Sequence, residues 1–363
     1  MKIAMVTWHY PPNIYGGGEI SCKLLVDALK KEKHDVDVFV LDDVFPSIKS
    51  KISLNICTYS YLKDKLDTYE YDIVHCYNMA LLPSIGELTK KKGVTSYATL
   101  NGIVFSPSLS VYSHKVFSPK YYRNRFFFNK IKDISSFSTL CEYWRKKWIE
   151  DGIPSEKISV ITNMIDPDFP VTKRKKHSGF NILHVGNYSP TRAKEIEDTI
   201  KIFSALKTDD VVLTMIGKGA REKKNLEKKY KPKNEIKILE EVGNSNLSKY
   251  YAEADFFLHP SILPKGNDRV IIEAMQHGCV VLTHCSDELS PIIEDNKSGF
   301  LIYPNMNSVY VKRIKLLMKD KKMISNISKN AKKQVKEVCS PNKITKEYLE
   351  KYRYIINVKE VRN

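Results

Sequence analysis

Apolar positions along the chain follow two rhythms that alternate. Short β-rich runs occupy 3–8, 36–41, 52–59, 72–76, 95–100, 137–140 and 158–162, and helix-spaced stretches such as 20–29 and 142–150 lie between several of them. Strands alternating with helices predict a parallel sheet covered on both faces. The rhythm breaks at Asp166-Pro167-Asp168-Phe169-Pro170 and at the aperiodic Lys173-Arg174-Lys175-Lys176, which reads as a linker. It then restarts, with strands expected at 181–185, 211–216, 236–239, 256–259, 280–284 and 300–303 and helices at 195–206, 245–254 and 269–277. From about 309 the pattern is helical and lysine-rich, broken at Pro341. The expectation is two Rossmann-like α/β domains, 1–170 and 171–341, facing across a cleft, with about 342–363 packing back on the first. Ligands of open α/β sheets bind at the carboxyl ends of the strands, so the function is expected in that cleft.

A length of 363 residues agrees with two domains, and 42% hydrophobic with 28% charged residues excludes wholesale disorder. The seven cysteines are odd in number and contain no CxxC, which predicts reduced thiols in a cytoplasmic protein. No apolar run approaches the length of a membrane span, and Met1-Lys2 leads into a short strand rather than a signal peptide. The net charge is +17, of which residues 171–363 carry +14, from 37 Lys/Arg against 23 Asp/Glu. Such an excess attracts phosphorylated ligands, anionic lipid and nucleic acid alike, and lysine-rich solvated helices account for much of it.

Gly16-Gly17-Gly18-Glu19 follows the first predicted strand and precedes a helix, where glycine amides and the helix N-terminus can cradle phosphate. It is not GxGxxG, which argues against a dinucleotide cofactor. Gly217-Lys218-Gly219 occupies the equivalent turn of the second domain, where a plain tight turn is the competing account. Glu273 stands among Val270, Ile271, Ile272, Ala274 and Met275 on a helix that Asn267 or Asp268 can open and Gly278 can end. A carboxylate in such surroundings needs hydrogen-bond partners, either ribose hydroxyls or a nearby lysine. His75 and Asn101 close two strands of the first domain, where a structural role competes with a catalytic one. Asp166-Pro167-Asp168 and Asp35-Val36-Asp37 match the short DxD of metal-dependent sugar transferases, but an aspartate beside proline is also a turn signal. Finally, residues 112–132 hold seven aromatics and six Lys/Arg with no acid, centred on Tyr121, Arg123, Arg125, Phe126 and Phe127. A lipid headgroup surface, stacked bases or an ordinary core-facing helix would each use this mixture.

Taken together, these blocks resemble the retaining glycosyltransferases of the GT-B fold, family 4, over about residues 1–305. The resemblance rests on Pro11, Pro12, Gly17 and Gly18, the Asp72–His75 strand, Asn163-Met164-Ile165-Asp166, Val185-Gly186-Asn187, and Gly217-Lys218-Gly219. It continues through 252–255, Pro260-Ser261, Glu273-Ala274-Met275, Gly278 and 298–301. Three positions depart from the family pattern. Lys265 stands where the first of two paired glutamates is usual, Asn101 where the family has histidine, and Asn187 where it has arginine; the family's Lys-Gly is blurred into 192–195.

The resemblance implies sugar transfer from a nucleotide diphosphate, UDP or GDP, to an acceptor hydroxyl with retention, using neither metal nor cofactor. Donor contacts would come from Gly17, Gly18, Asn187, Arg192, Lys194, Gly217, Lys218, Arg269, Val270, Ile271 and Glu273. Asn101 and Lys265 would occupy catalytic positions. His75, Tyr121, Arg123, Arg125, Phe126 and Phe127 would serve a polyprenyl-phosphate-linked or other glycan acceptor, or the anionic inner face of the cell membrane. Nucleic acid is not expected, because no RNA-binding motif accompanies the aromatic run. The alternative is a catalytically silent GT-B protein that binds a glycolipid or a partner subunit.

Overall fold

The computed structural model describes residues 1–12, 16–45, 51–100, 128–172, 177–190, 192–240, 242–261, 268–284 and 292–360. The chain forms two compact units, Met1–Met164 with Pro341–Asn363, and Ile165–Ser340.

The first unit carries β1 (Lys2–Thr7), β2 (Asp35–Val40), β3 (Ile73–Cys76), β4 (Thr95–Leu100), β5 (Ser136–Thr139) and β6 (Ile158–Val160). They form one parallel sheet in the order β2-β1-β3-β4-β5-β6. Its central strands are buried on both faces, as their near-continuous apolar runs require. On one face, α2 (Lys51–Thr68), α3 (Leu82–Lys92) and α4 (Glu142–Glu150) contribute Leu62, Ile85, Leu88 and Trp148 to the core. On the other, α1 (Gly17–Lys31) contributes Leu25 and Leu29. Truncating one such core leucine to alanine costs about 2–5 kcal/mol.

One predicted strand is a helix. Ile52, Leu54 and Ile56 alternate like a strand, but α2 is set by the longer spacing of Asn55, Thr58, Tyr59, Leu62 and Leu66. Asn55 fixes it by accepting from the Ser84 amide and donating to the Ala80 carbonyl.

The second unit carries β7 (Phe180–Val185), β8 (Val211–Ile216), β9 (Ile236–Leu239), β10 (Phe256–His259), β11 (Val280–His284) and β12 (Phe300–Ile302), parallel in the order β12-β11-β10-β7-β8-β9. Around it stand α5 (Ala193–Leu206), α6 (Ala220–Tyr230), α7 (Asn244–Glu253), α8 (Arg269–His277), α9 (Asn307–Lys319) and α10 (Lys321–Val338). Phe169 is buried in the core of this unit beside Tyr251 and His277.

The last helix, α11 (Pro341–Glu360), belongs to the first unit and packs on α1, as the sequence predicts. Proline suits its first turn, where an amide would lack a partner anyway. Ile344, Tyr348, Tyr352 and Ile355 line its buried stripe.

Candidate functional site

At the carboxyl edge of the second sheet, two turns are stitched together. The Gly186 amide donates to the Ile216 carbonyl at 2.9 Å, and the Tyr188 amide to that of Lys218 at 2.9 Å. Asn187 Oδ1 accepts from the Lys218 amide at 2.9 Å. Gly217 has φ +120°, and a Cβ there would lie 2.6 Å from the Gly186 carbonyl oxygen. Glycine is therefore required by the turn itself. Beneath it lies a residue that sequence reasoning missed. Lys223 is fully buried and donates to the Gly217 carbonyl, and burial pushes its ammonium pKa down to about 8.

Arg192 caps α5 at its amino end, with Nη2 3.9 Å from Asp268 Oδ2. Lys194 pairs with Asp198 at 2.6 Å, and Asn307 holds that carboxylate from the other side at 3.0 Å. Asp268 opens α8 without capping it through its side chain. The Ile271 amide is engaged by the Asp268 carbonyl at 2.9 Å. Arg269 and Val270 remain the first amides of the helix, where the dipole favours an anion.

Glu273 is buried one turn further along α8. Tyr251 donates to Oε2 at 3.0 Å, and Arg269 Nη2 lies 3.5 Å from Oε1. In place of the lysine that was the alternative, its partners include an arginine and a tyrosine. Burial raises the Glu273 pKa above the usual carboxylate range, while Arg269 and Tyr251 pull it back. Asp166 is a turn residue, its Oδ1 accepting from the Asp168 amide at 2.9 Å.

The remaining predicted residues lie elsewhere. Gly17 and Gly18 open α1 in the first unit, exposed, with the preceding Gly16 amide bonded to Glu19 Oε2 at 2.8 Å. His75 lies in the interior of the first unit. It is fully buried, Nδ1 lies 2.6 Å from Tyr352 Oη and Nε2 2.9 Å from Thr99 Oγ1, and both contacts are internal. Burial pushes its pKa down to about 3, so the ring is neutral. Asn101, Lys265, Tyr121, Arg123, Arg125, Phe126 and Phe127 lie outside the described residues. The described end of the aromatic run is core, with Phe128 buried and stacked on Trp148.

Sequence reasoning also missed a cluster below the carboxyl ends of β7 and β10. His184, Glu195 and His259 are buried together, and burial holds the His184 pKa down to about 4. A histidine near the end of each of two adjacent strands was the available signal.

Two Rossmann-like units of parallel six-stranded sheets, with the last helix returning to the first, define the GT-B fold of glycosyltransferases. Residues 15–169 match the family Glycosyltransferase Family 4, and residues 167–334 match Glycosyl transferases group 1. The chain belongs to this family and is a glycosyltransferase of GT-B type. It is 25% identical to an uncharacterized glycosyltransferase of Methanocaldococcus jannaschii, MJ1607, over 97% of this chain and 98% of that one. The structure is similar to that of Anabaena Alr3699/HepE in complex with UDP-glucose, with TM-score 0.75, 17% identity, and 98% and 100% of the two chains covered. It is also similar to WaaG, a glycosyltransferase involved in lipopolysaccharide biosynthesis, with TM-score 0.70, 14% identity, and 94% and 98% covered.

Proposed function

We propose that the chain transfers a hexose from a UDP-linked donor to a lipid-linked glycan acceptor, with retention and without a metal at the reacting centre. The observation that carries the donor half is Glu273, an acid buried on α8 beside Tyr251 and Arg269, one turn below the first amides of that helix. In this reading the carboxylate accepts the ribose hydroxyls, while the Arg269 and Val270 amides, Arg192 and Lys194 meet the diphosphate. The HepE complexes with UDP and with UDP-glucose support uridine as the base.

The bond between the anomeric carbon and the diphosphate oxygen breaks, and the acceptor oxygen bonds that carbon on the same face. The acceptor proton passes to the departing phosphate oxygen, so no side-chain base is needed. Negative charge grows on the diphosphate, and cations with helix N-termini stabilise it as it forms. The acceptor half rests on the aromatic and basic run 112–132, together with the role of WaaG in lipopolysaccharide biosynthesis. Among the described residues, no helix is long and apolar enough to cross a membrane.

Calorimetry with UDP and UDP-glucose tests the donor site. Glu273→Ala is expected to weaken binding by about 1–3 kcal/mol, the scale of a hydrogen bond to a charged group. Unchanged affinity overturns the assignment. Lys265 and Asn101, where the family has acid and histidine, favour a second reading as a silent binding protein. Turnover of UDP-sugar, by hydrolysis or transfer, at a rate indifferent to added Mg²⁺ or Mn²⁺ supports the enzyme over that alternative.

A further inference from the structure

The peptide unit between Gly217 and Lys218 is gripped at both of its polar ends. Its carbonyl accepts from the ammonium of Lys223, which is fully buried in the first turn of α6. Its amide donates to Asn187 Oδ1 at 2.9 Å. Lys223, this peptide and Asn187 therefore form one line of hydrogen bonds, each member donating to the next, from the interior to an exposed side chain. With Oδ1 committed to an N–H, the two donors of the Asn187 carboxamide are those on Nδ2. A cation at the head of such a line polarises it, so Nδ2 is a stronger donor than that of an isolated asparagine.

A carbonyl is satisfied by a neutral N–H, so the bond to Gly217 alone does not account for a buried charge. An ammonium has three donors, and Lys223 uses one; among the described residues it has no second acceptor and no ion-pair partner. Glu240, just past β9, is the acid that acts on it, but Oε1 of that acid is taken by the Ala220 amide at 2.9 Å. A buried cation with so little counter-charge gains when an anion arrives at the sheet edge in front of it. Burial draws its pKa down to about 8, so it is charged at neutral pH and loses its proton just above. The elements packed against α6 bring Lys237 and Glu240 with β9, and Glu195, Glu197 and Lys201 with α5. Of these, Glu197 is held by Lys229 and Tyr230 at the far end of α6. Lys223 also acts on His184 of β7, which burial keeps neutral with its pKa down at about 4.

We propose that Lys223 is a positioning residue for the donor diphosphate, its buried charge acting through the Gly217–Lys218 peptide on Asn187, whose Nδ2 meets the phosphate oxygens. The inference rests on the donor site proposed above and adds a group that never touches the ligand. Its consequence is a proton linkage. An anion bound in front of the turn favours the charged amine, so affinity falls as pH rises through about 8, and binding there takes up protons.

The test titrates UDP-glucose into the full chain by calorimetry on either side of pH 8, in two buffers of different ionisation enthalpy. The wild type is expected to lose about threefold or more in affinity across that pH and to take up protons on binding near it. Lys223→Met is expected to bind about tenfold more weakly at neutral pH, with a flat profile and no proton uptake. In a double-mutant cycle, the cost of Lys223→Met should shrink when Asn187 is alanine, and additive costs overturn the route through Asn187. A lower melting temperature in Lys223→Met with an unchanged pH profile marks a mere brace and overturns the proposal. Where that variant does not fold, the wild type decides alone: affinity flat across pH 8 without proton uptake refutes it. A flat profile in a wild type whose binding is lost in Glu273→Ala removes Lys223 and leaves the donor site standing. No binding of UDP-glucose at any pH removes both.

Discussion

The phenol of Tyr251 donates to Oε2 of Glu273 over 3.0 Å, and both side chains are buried. Arg269, one turn earlier on α8, approaches the other oxygen at 3.5 Å. Burial raises its pKa, and Arg269 and Tyr251 pull against that rise. A buried acid oriented by one tyrosine and one arginine is placed to meet further donors.

Tyr251→Phe removes one of these supports and is expected to weaken UDP binding about tenfold, or roughly 1.4 kcal/mol. Because burial raises the Glu273 pKa, protonation begins at a higher pH than for an exposed glutamate. UDP affinity should therefore fall as pH is lowered, from a higher pH than an ordinary carboxylate would give, and the fall should be absent in Glu273→Gln. Calorimetry across pH checks both. A wild-type profile parallel to that of Glu273→Gln contradicts the role.

Two glycines separate a structural need from a ligand's. Gly217→Ala places a Cβ 2.6 Å from a backbone oxygen at φ +120°, and is expected to destabilise the second unit by about 1–3 kcal/mol. Gly18 has nothing within 4 Å of such a Cβ and sits in the first turn of α1. Gly18→Ala should leave stability equal or raise it by up to about 1 kcal/mol. If the turn serves a phosphate, the same variant lowers transfer activity; full activity in it removes α1 from the donor site.

His75 makes the first unit sensitive to acid. Its pKa in the fold is about 3, below the 6.5 of the unfolded chain, so the unfolded state binds more protons between those values. The stability it contributes is complete above pH 6.5 and is lost as pH falls towards 3. At pH 5 the loss is about 2 kcal/mol. Trp8, Trp144 and Trp148 all lie in the first unit, so urea unfolding followed by tryptophan fluorescence reads it selectively. His75→Gln should show a shallower decline between pH 7 and pH 5, and an identical decline would refute this account.

The alternation of rhythms was enough to locate most strands of both sheets, because parallel strands buried on two faces leave long apolar runs. It failed at α2, where three alternating apolar residues hid a helix whose buried side includes the polar Asn55 and Thr58. Glu273 was legible because an acid in an apolar helix stands out. Its partner Tyr251 was not, since a tyrosine twenty-two residues away carries no local mark. The burial of His75 was not legible, because a strand-end histidine looks alike whether it faces solvent or a cage of Tyr97, Tyr348 and Tyr352, two of which arrive with the last helix. The cluster of His184, Glu195 and His259 escaped for the same reason. Its members are distant in sequence and meet only through the pairing of β7 with β10.

The acceptor is tested through the run 112–132, whose centre lies outside the described residues. Each cation near an anionic leaflet contributes about 1 kcal/mol within a Debye length, so the six of this run could hold the protein at a surface reversibly. Aromatic rings among them would insert at headgroup level and bring a phosphate-linked lipid within reach of the donor. Phe128 is already committed to the core, stacked on Trp148, so the cations and rings before it are the ones to change. Replacing Arg123, Arg125, Phe126 and Phe127 together should release the protein from sedimenting anionic vesicles while calorimetric UDP affinity stays the same. Binding of the wild type should weaken steeply with salt. If the wild type stays in the supernatant at low salt, the acceptor is a soluble glycan or small molecule.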